Sequence, residues 1–115
     1  MNPAFSIDFA TRRSVELFLE RIAGDYPVAG AWLYGSRARG EAQADSDADV
    51  AVILDGPKGR TNAVAVAMAG PAYDVMLETG IMVSPIPVWQ ADWLDPSKHG
   101  NPFLIRNIKR DGIAL

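Results

Sequence analysis

The 115-residue chain is predicted to fold as a small α/β (α+β) unit, one sheet layer backed by helices. Three observations predict it. Val15, Phe18, Leu19, Ile22 and Ala23 recur at the i, i+3, i+4, i+7, i+8 spacing of an amphipathic helix. Two short runs, Val28–Tyr34 and Asp49–Leu54, are mostly apolar, of strand length and bounded by turn residues. A helical stretch, Thr61–Thr79, then separates them from a third strand candidate, Ile81–Trp89.

Taken in order, Asp8 or Ser6 can cap the first helix, and Gly24 suits a left-handed stop. Asp25-Tyr26-Pro27 turns the chain into Val28–Tyr34, a buried strand ending at Gly35. Residues 36–47 are small and polar, with one helical turn expected around Ala38-Arg39 and a loop after it. Asp55-Gly56-Pro57 and Gly59 end the second strand. Within Thr61–Thr79, Pro71 lacks an amide donor, so a kink or a fresh helix is expected there, and Gly80 ends the element. Pro85 and Pro87 confine the third strand to an edge or to irregular pairing. Asp92 is placed as the cap of a short turn through Trp93-Leu94, and Phe103–Lys109 as a last helix closed by Gly112.

Composition narrows the class. Apolar residues make up 49% and charged residues 22%, too apolar for a disordered chain. One domain spanning residues 1–115 is expected from the length. The longest mostly apolar stretch, Ala63–Ala69, is too short to cross a bilayer, so no membrane role is expected. No basic cluster marks Met1–Phe9 as a signal peptide, and no cysteine is present to form a disulfide or a thiolate metal site. A cytoplasmic protein fits both observations. The net charge of -3 argues against nucleic acid as a direct substrate.

Gly35-Ser36, followed after ten residues by Asp47-Ala48-Asp49, carries the chemistry. A chance match to these four positions is on the order of one in a thousand for a chain of this size. Alternate side chains of a strand share a face, so Asp47 and Asp49 are expected to point the same way, roughly 7 Å apart, and to reach a common cation. Magnesium suits such a pair, because it keeps waters and takes one or two carboxylates with phosphate oxygens. Ala48, Val50, Val52 and Leu54 then face the helices, and Ala51 leaves room for a ligand. Gly35 lets a phosphate approach the backbone, Ser36 offers a hydroxyl and an amide, and Arg37 is a candidate phosphate clamp. Arg39 is divided between that role and pairing with the acidic loop, and Glu41 and Asp45 are read as solvated loop residues.

The segment GSRARGEAQADSDADVAVIL resembles the signature of the DNA polymerase β nucleotidyltransferase superfamily, over about Val28 to Leu54. In size the chain is similar to the minimal nucleotidyltransferase branch, whose members pair with HEPN-domain toxins as antitoxins. The resemblance implies a short mixed sheet backed by helices and transfer of AMP, or another nucleoside monophosphate, from a nucleoside triphosphate. It further implies Gly35 and Ser36 on the triphosphate, Asp47 and Asp49 on magnesium, and a tyrosine of the toxin as acceptor. The superfamily also places a third carboxylate on the next strand. Here that strand reads Ile81 to Val88 without an acid, and Ser84 takes the expected position. Asp74 and Glu78 precede it on the helical segment. Losing a general base costs about 10²–10⁴-fold in rate, so a degenerate domain that neutralises or recruits a partner by contact is the second expectation. Transfer to a small hydroxylated molecule such as an antibiotic is a third.

Among the remaining residues, His99 is read as a surface residue and Trp32 as core. Trp89 and Trp93 are the candidates for contact with a partner in a homodimer or hetero-complex. Arg106, Lys109 and Arg110 form a solvated helix end, with docking of an acidic partner or an RNA as the sharper reading.

Overall fold

A computed structural model describes residues 7–115. The elements run α1 (Phe9–Ile22), β1 (Val28–Tyr34), α2 (Ser36–Arg39), β2 (Ala48–Leu54), α3 (Thr61–Thr79), β3 (Val83–Trp89), α4 (Gln90–Leu94), α5 (Pro102–Asp111) and β4 (Ile113–Ala114), with a 3₁₀ turn at Pro96–Lys98. The strands form one mixed sheet in the order β3-β2-β1-β4. β1 is antiparallel to β2 and β4, whereas β2 and β3 are parallel. The fold is the mixed α+β sheet backed by helices that the sequence predicts.

The two sheet faces carry different cores. Ala48, Val50, Val52 and Leu54 pack, as expected, against Val15, Phe18 and Ile22 of α1 and Met68, Ala72 and Val75 of α3. On the opposite face, Ala51, Ile53 and Val88 pack against Ile105 and Ile108 of α5. Trp32 joins this second core against Trp93, with ring centroids 5.4 Å apart.

Local chemistry explains most boundaries. Asp8 caps α1 by accepting from the Thr11 amide at 2.8 Å and the Thr11 hydroxyl at 2.7 Å. Ser6, the alternative cap, lies outside the described residues. Gly24 is not left-handed: α1 ends at Ala23 in right-handed geometry, and a two-bond turn from Ile22 O to Asp25 and Tyr26 continues the chain. α3 runs as one helix through Pro71, so no fresh helix starts there, and Gly80 closes it with φ +80°. β3 is an edge strand. Met82 O accepts from Ala48 N at 2.9 Å. By the alternation of a strand, even-numbered residues therefore turn their amides toward β2, and Pro85 and Pro87 leave their missing donors on the free edge.

Three expectations are corrected by packing. Asp92 is no cap; it sits inside α4 with its carboxylate buried, 2.9 Å from the Lys58 ammonium. Trp89 is core, its indole donating to Thr61 Oγ1 at 3.2 Å, because the end of β3 is closed over by the start of α3. Trp93 packs internally on Trp32 under the Lys109 ammonium, 4.8 Å from the ring centroid. β4 was not legible beforehand: two residues after Gly112 pair with Trp32 and Leu33.

Candidate nucleotide site

β1 ends in Tyr34 and hands the chain to Gly35, whose φ of +76° and ψ of -158° is a conformation only glycine holds without strain. A Cβ at this position would also overlap Asp49 Oδ2. Glycine is thus required twice: once by backbone geometry and once by the carboxylate lying against it. Ser36 opens the short α2, leaving its first amides without intrahelical acceptors, and Gly40 ends α2 with φ +73°. Gly35 O accepts from Ala38 N and Arg39 N, both at 3.1 Å, which fixes the turn.

Ladder register assembles the rest. Tyr34 stands opposite Asp49 across β1 and β2, and Asp49 opposite Ser84 across β2 and β3. Tyr34, Asp49 and Ser84 therefore form one row on the α5 side of the sheet. The next row, Trp32, Ala51 and Ile86, lies under α5 and Trp93. Ala51 accordingly leaves no room for a ligand; it is fully buried. Asp49 and Ser84 are half-buried just beyond this core, and Tyr34 packs at its margin.

Asp47 precedes β2 and is exposed, whereas Asp49 is half-buried within the strand. Burial pushes the Asp49 carboxyl above its ordinary range, the neighbouring Asp47 charge adds to the rise, and Arg39 opposes it. Burial, with the Asp49 charge behind it, pushes the Tyr34 phenol up to about 12. The two acids are close enough to repel, and a cation between them would relieve that repulsion. Among the described residues no set of three or more potential metal ligands converges. Two carboxylates beside bare main chain fit magnesium in its water-rich form, completed by phosphate oxygens.

Arg37 has a different environment from a free clamp. Its guanidinium is buried and donates to Ser46 O at 2.8 Å, Thr11 Oγ1 at 3.0 Å, Ala44 O at 3.2 Å and Gln43 O at 3.4 Å. These bonds tie the 40–47 loop, and hence Asp47, to α1 and α2. Arg39 pairs with Glu41 at 3.1 Å while remaining near Asp49. Asp74 and Glu78 both pair with Arg21 of α1, so neither replaces the missing carboxylate. Ser84 holds that register position. His99 accepts from Asn101 N at 2.9 Å in the loop before α5, and Arg110 pairs with Asp111 at 2.9 Å. Tyr34 escaped sequence reasoning; its place immediately before Gly35 on a strand of known parity was the available signal.

Two concavities flank the carboxylates. Tyr34, Gly35, Arg39, Leu104, Asn107, Ile108 and Asp111 line a niche of mixed polarity of about 90 Å³. On the other flank, Asp47 and Ser84 border a groove of about 450 Å³ between α3 and β3.

The family model described as nucleotidyltransferase domain matches residues 15–115. The chain is also similar in structure to a candidate nucleotidyltransferase from Sulfolobus solfataricus, with a TM-score of 0.51 and 18% identity, over 91% of this chain and 81% of that one. At that identity the likeness speaks for the fold. No curated protein matches the sequence.

Proposed function

The chain belongs to the nucleotidyltransferase domain family, and from that premise we propose that it transfers AMP from ATP, or another monophosphate from its triphosphate, to a hydroxyl of a protein partner. Gly35 and Ser36 hold the triphosphate in this reading, and Asp47 and Asp49 hold magnesium. The observation that carries the proposal is the close approach of the Asp49 carboxylate to Gly35, where a Cβ would overlap Asp49 Oδ2, at the residue that opens into α2. Bound there, magnesium would neutralise the transferring phosphate. The chain itself supplies orientation. Arg37 holds the loop that presents Asp47, and Arg39 adds positive charge beside the niche. The acceptor oxygen replaces pyrophosphate on the α-phosphorus, and its proton passes to solvent.

The finer reading is an antitoxin that modifies a HEPN-type toxin in the cytoplasm. Its support is the Gly-Ser…Asp-x-Asp signature. Purified protein with magnesium and labelled ATP should label a co-purified partner, and Asp47→Asn should abolish the label. Failure to label any candidate partner removes the enzymatic claim.

Ser84 opposite Asp49 favours a second reading, a domain that binds its partner without turnover. In that case Asp49→Ala leaves neutralisation of the partner intact while nucleotide binding is lost.

A further inference from the structure

Helix α5 reaches the candidate nucleotide site at its C-terminal end. Gly112 lies against β1, where a Cβ would stand 2.9 Å from Leu33 O, so a side chain there would force α5 away from the strand. This close pass seats Asp111 beside Tyr34 and Gly35, at the end of β1. Leu104, Asn107 and Asp111 recur at i, i+3 and i+7, one stripe of α5 along the niche. Asn107 and Asp111 stand a turn apart, about 6 Å along the helix axis.

Both Asp111 oxygens accept from the Arg110 guanidinium, at 2.9 and 3.1 Å, which orients the carboxylate. These hydrogen bonds, with the Arg110 and Arg39 charges, hold the Asp111 carboxyl below its ordinary range. A carboxylate has about four lone-pair sites, so acceptor capacity remains for a ligand. A phosphate inside the niche would face Asp111 there and Asp49 behind Gly35, and be repelled. A neutral group with adjacent hydroxyls instead finds a charged acceptor in Asp111 and a donor and an acceptor in the Asn107 amide. Tyr34, Leu104 and Ile108 give apolar cover to its carbons. At about 90 Å³ the niche cannot enclose a base and its sugar together. The α3–β3 groove is walled mainly by apolar side chains, and its one carboxylate, Asp47, is committed to the metal in the transfer reading.

Resting on the transfer reading above, we propose that the niche holds the ribose of the bound nucleotide, with Asp111 accepting from its 2′ and 3′ hydroxyls and the Asn107 amide beside them. The phosphates then lie at Gly35 and Ser36, the metal at Asp47 and Asp49, and the sugar against α5. The protein thereby selects a ribonucleoside triphosphate over its deoxy counterparts, whichever base it carries.

Calorimetry with magnesium tests this by comparing ATP with 2′,3′-dideoxyATP on the wild-type protein, Asp111→Ala and Asn107→Ala. The dideoxy compound should bind the wild type roughly tenfold or more weakly, as expected for lost hydrogen bonds to a charged group. Asp111→Ala should weaken ATP by the same factor and leave dideoxyATP within about twofold, bringing the two affinities together. Asn107→Ala should narrow the gap by a smaller factor. Both side chains are exposed on α5, and loss of a carboxylate from a helix C-terminus favours the helix, so both variants should fold. Equal wild-type affinity for the two nucleotides overturns the proposal and leaves the transfer reading standing. A preference for ATP that survives in Asp111→Ala overturns it too. An equal loss of both nucleotides in that variant assigns the carboxylate to the metal or the phosphates and likewise overturns it. If the wild type binds neither nucleotide, the transfer reading and the ribose assignment fail together.

Discussion

The two faces of the sheet divide the work of this protein. The face toward α1 and α3 is closed from Ala48 to Leu54, and its residues are buried without a polar interruption. The face toward α5 is fully buried at Ala51, Ile53 and Val88, whereas Asp49 and Ser84 are half-buried beyond that core and Tyr34 packs at its margin. The larger core lies on the α1 and α3 side, while the smaller one on the α5 side leaves Asp49 half-buried next to Asp47.

That division can be broken from either side. Phe18→Ala on the closed face should cost about 3–5 kcal/mol, measured by urea unfolding, while the folded fraction keeps its ATP affinity. Gly35→Ala should cost about 1–3 kcal/mol for the forced conformation. It should also reduce magnesium-dependent ATP binding at least tenfold, because the added methyl displaces the Asp49 carboxylate. Equal losses of ATP affinity in the two variants would erase the distinction between the faces.

Asp49→Asn sharpens the comparison by opposing stability to function. The folded protein raises the Asp49 pKa, so its charged form is disfavoured and the penalty applies above the unfolded value near 3.8. At pH 7 the amide should therefore raise the melting temperature while removing magnesium-dependent nucleotide binding. The gain should vanish below pH 3.8, where both states are protonated. A lower melting temperature at pH 7 would show that the carboxylate is compensated already.

The smallest effect belongs to the cap of α1. Asp8→Ala should cost about 1 kcal/mol at pH 7. Burial tends to raise the Asp8 pKa, but the Thr11 hydrogen bonds and the Arg37 charge outweigh it and leave the pKa lowered. The stabilisation is accordingly present above pH 3.8 and fades as pH falls through the depressed value. Circular dichroism melts of both proteins across an acid titration from pH 7 should show the difference narrowing toward the acid end.

Much of this was legible in residue order. Every long helix and each of the first three strands has a local signature: helical spacing at Val15–Ala23, a glycine after Tyr34 and after Thr79, and prolines restricting β3 to an edge. The spacing of Gly35, Ser36, Asp47 and Asp49 pointed to one shared site, and Gly35 does lie close to the Asp49 carboxylate. The environments of Arg37, Ala51, Asp92 and Trp89 were not legible, because each depends on a distant segment: Thr11, α5, Lys58 and Thr61.

Periodicity, turn chemistry and residue spacing act over a few neighbours, so the linear chain sufficed for the alternation of elements and for the strand-ending turn at Gly35. How far α5 reaches across the sheet, that β4 closes beside β1, and that α3 keeps an apolar side uncovered are outcomes of packing between segments remote in sequence. Such packing follows from shape and volume in three dimensions, which no local pattern encodes.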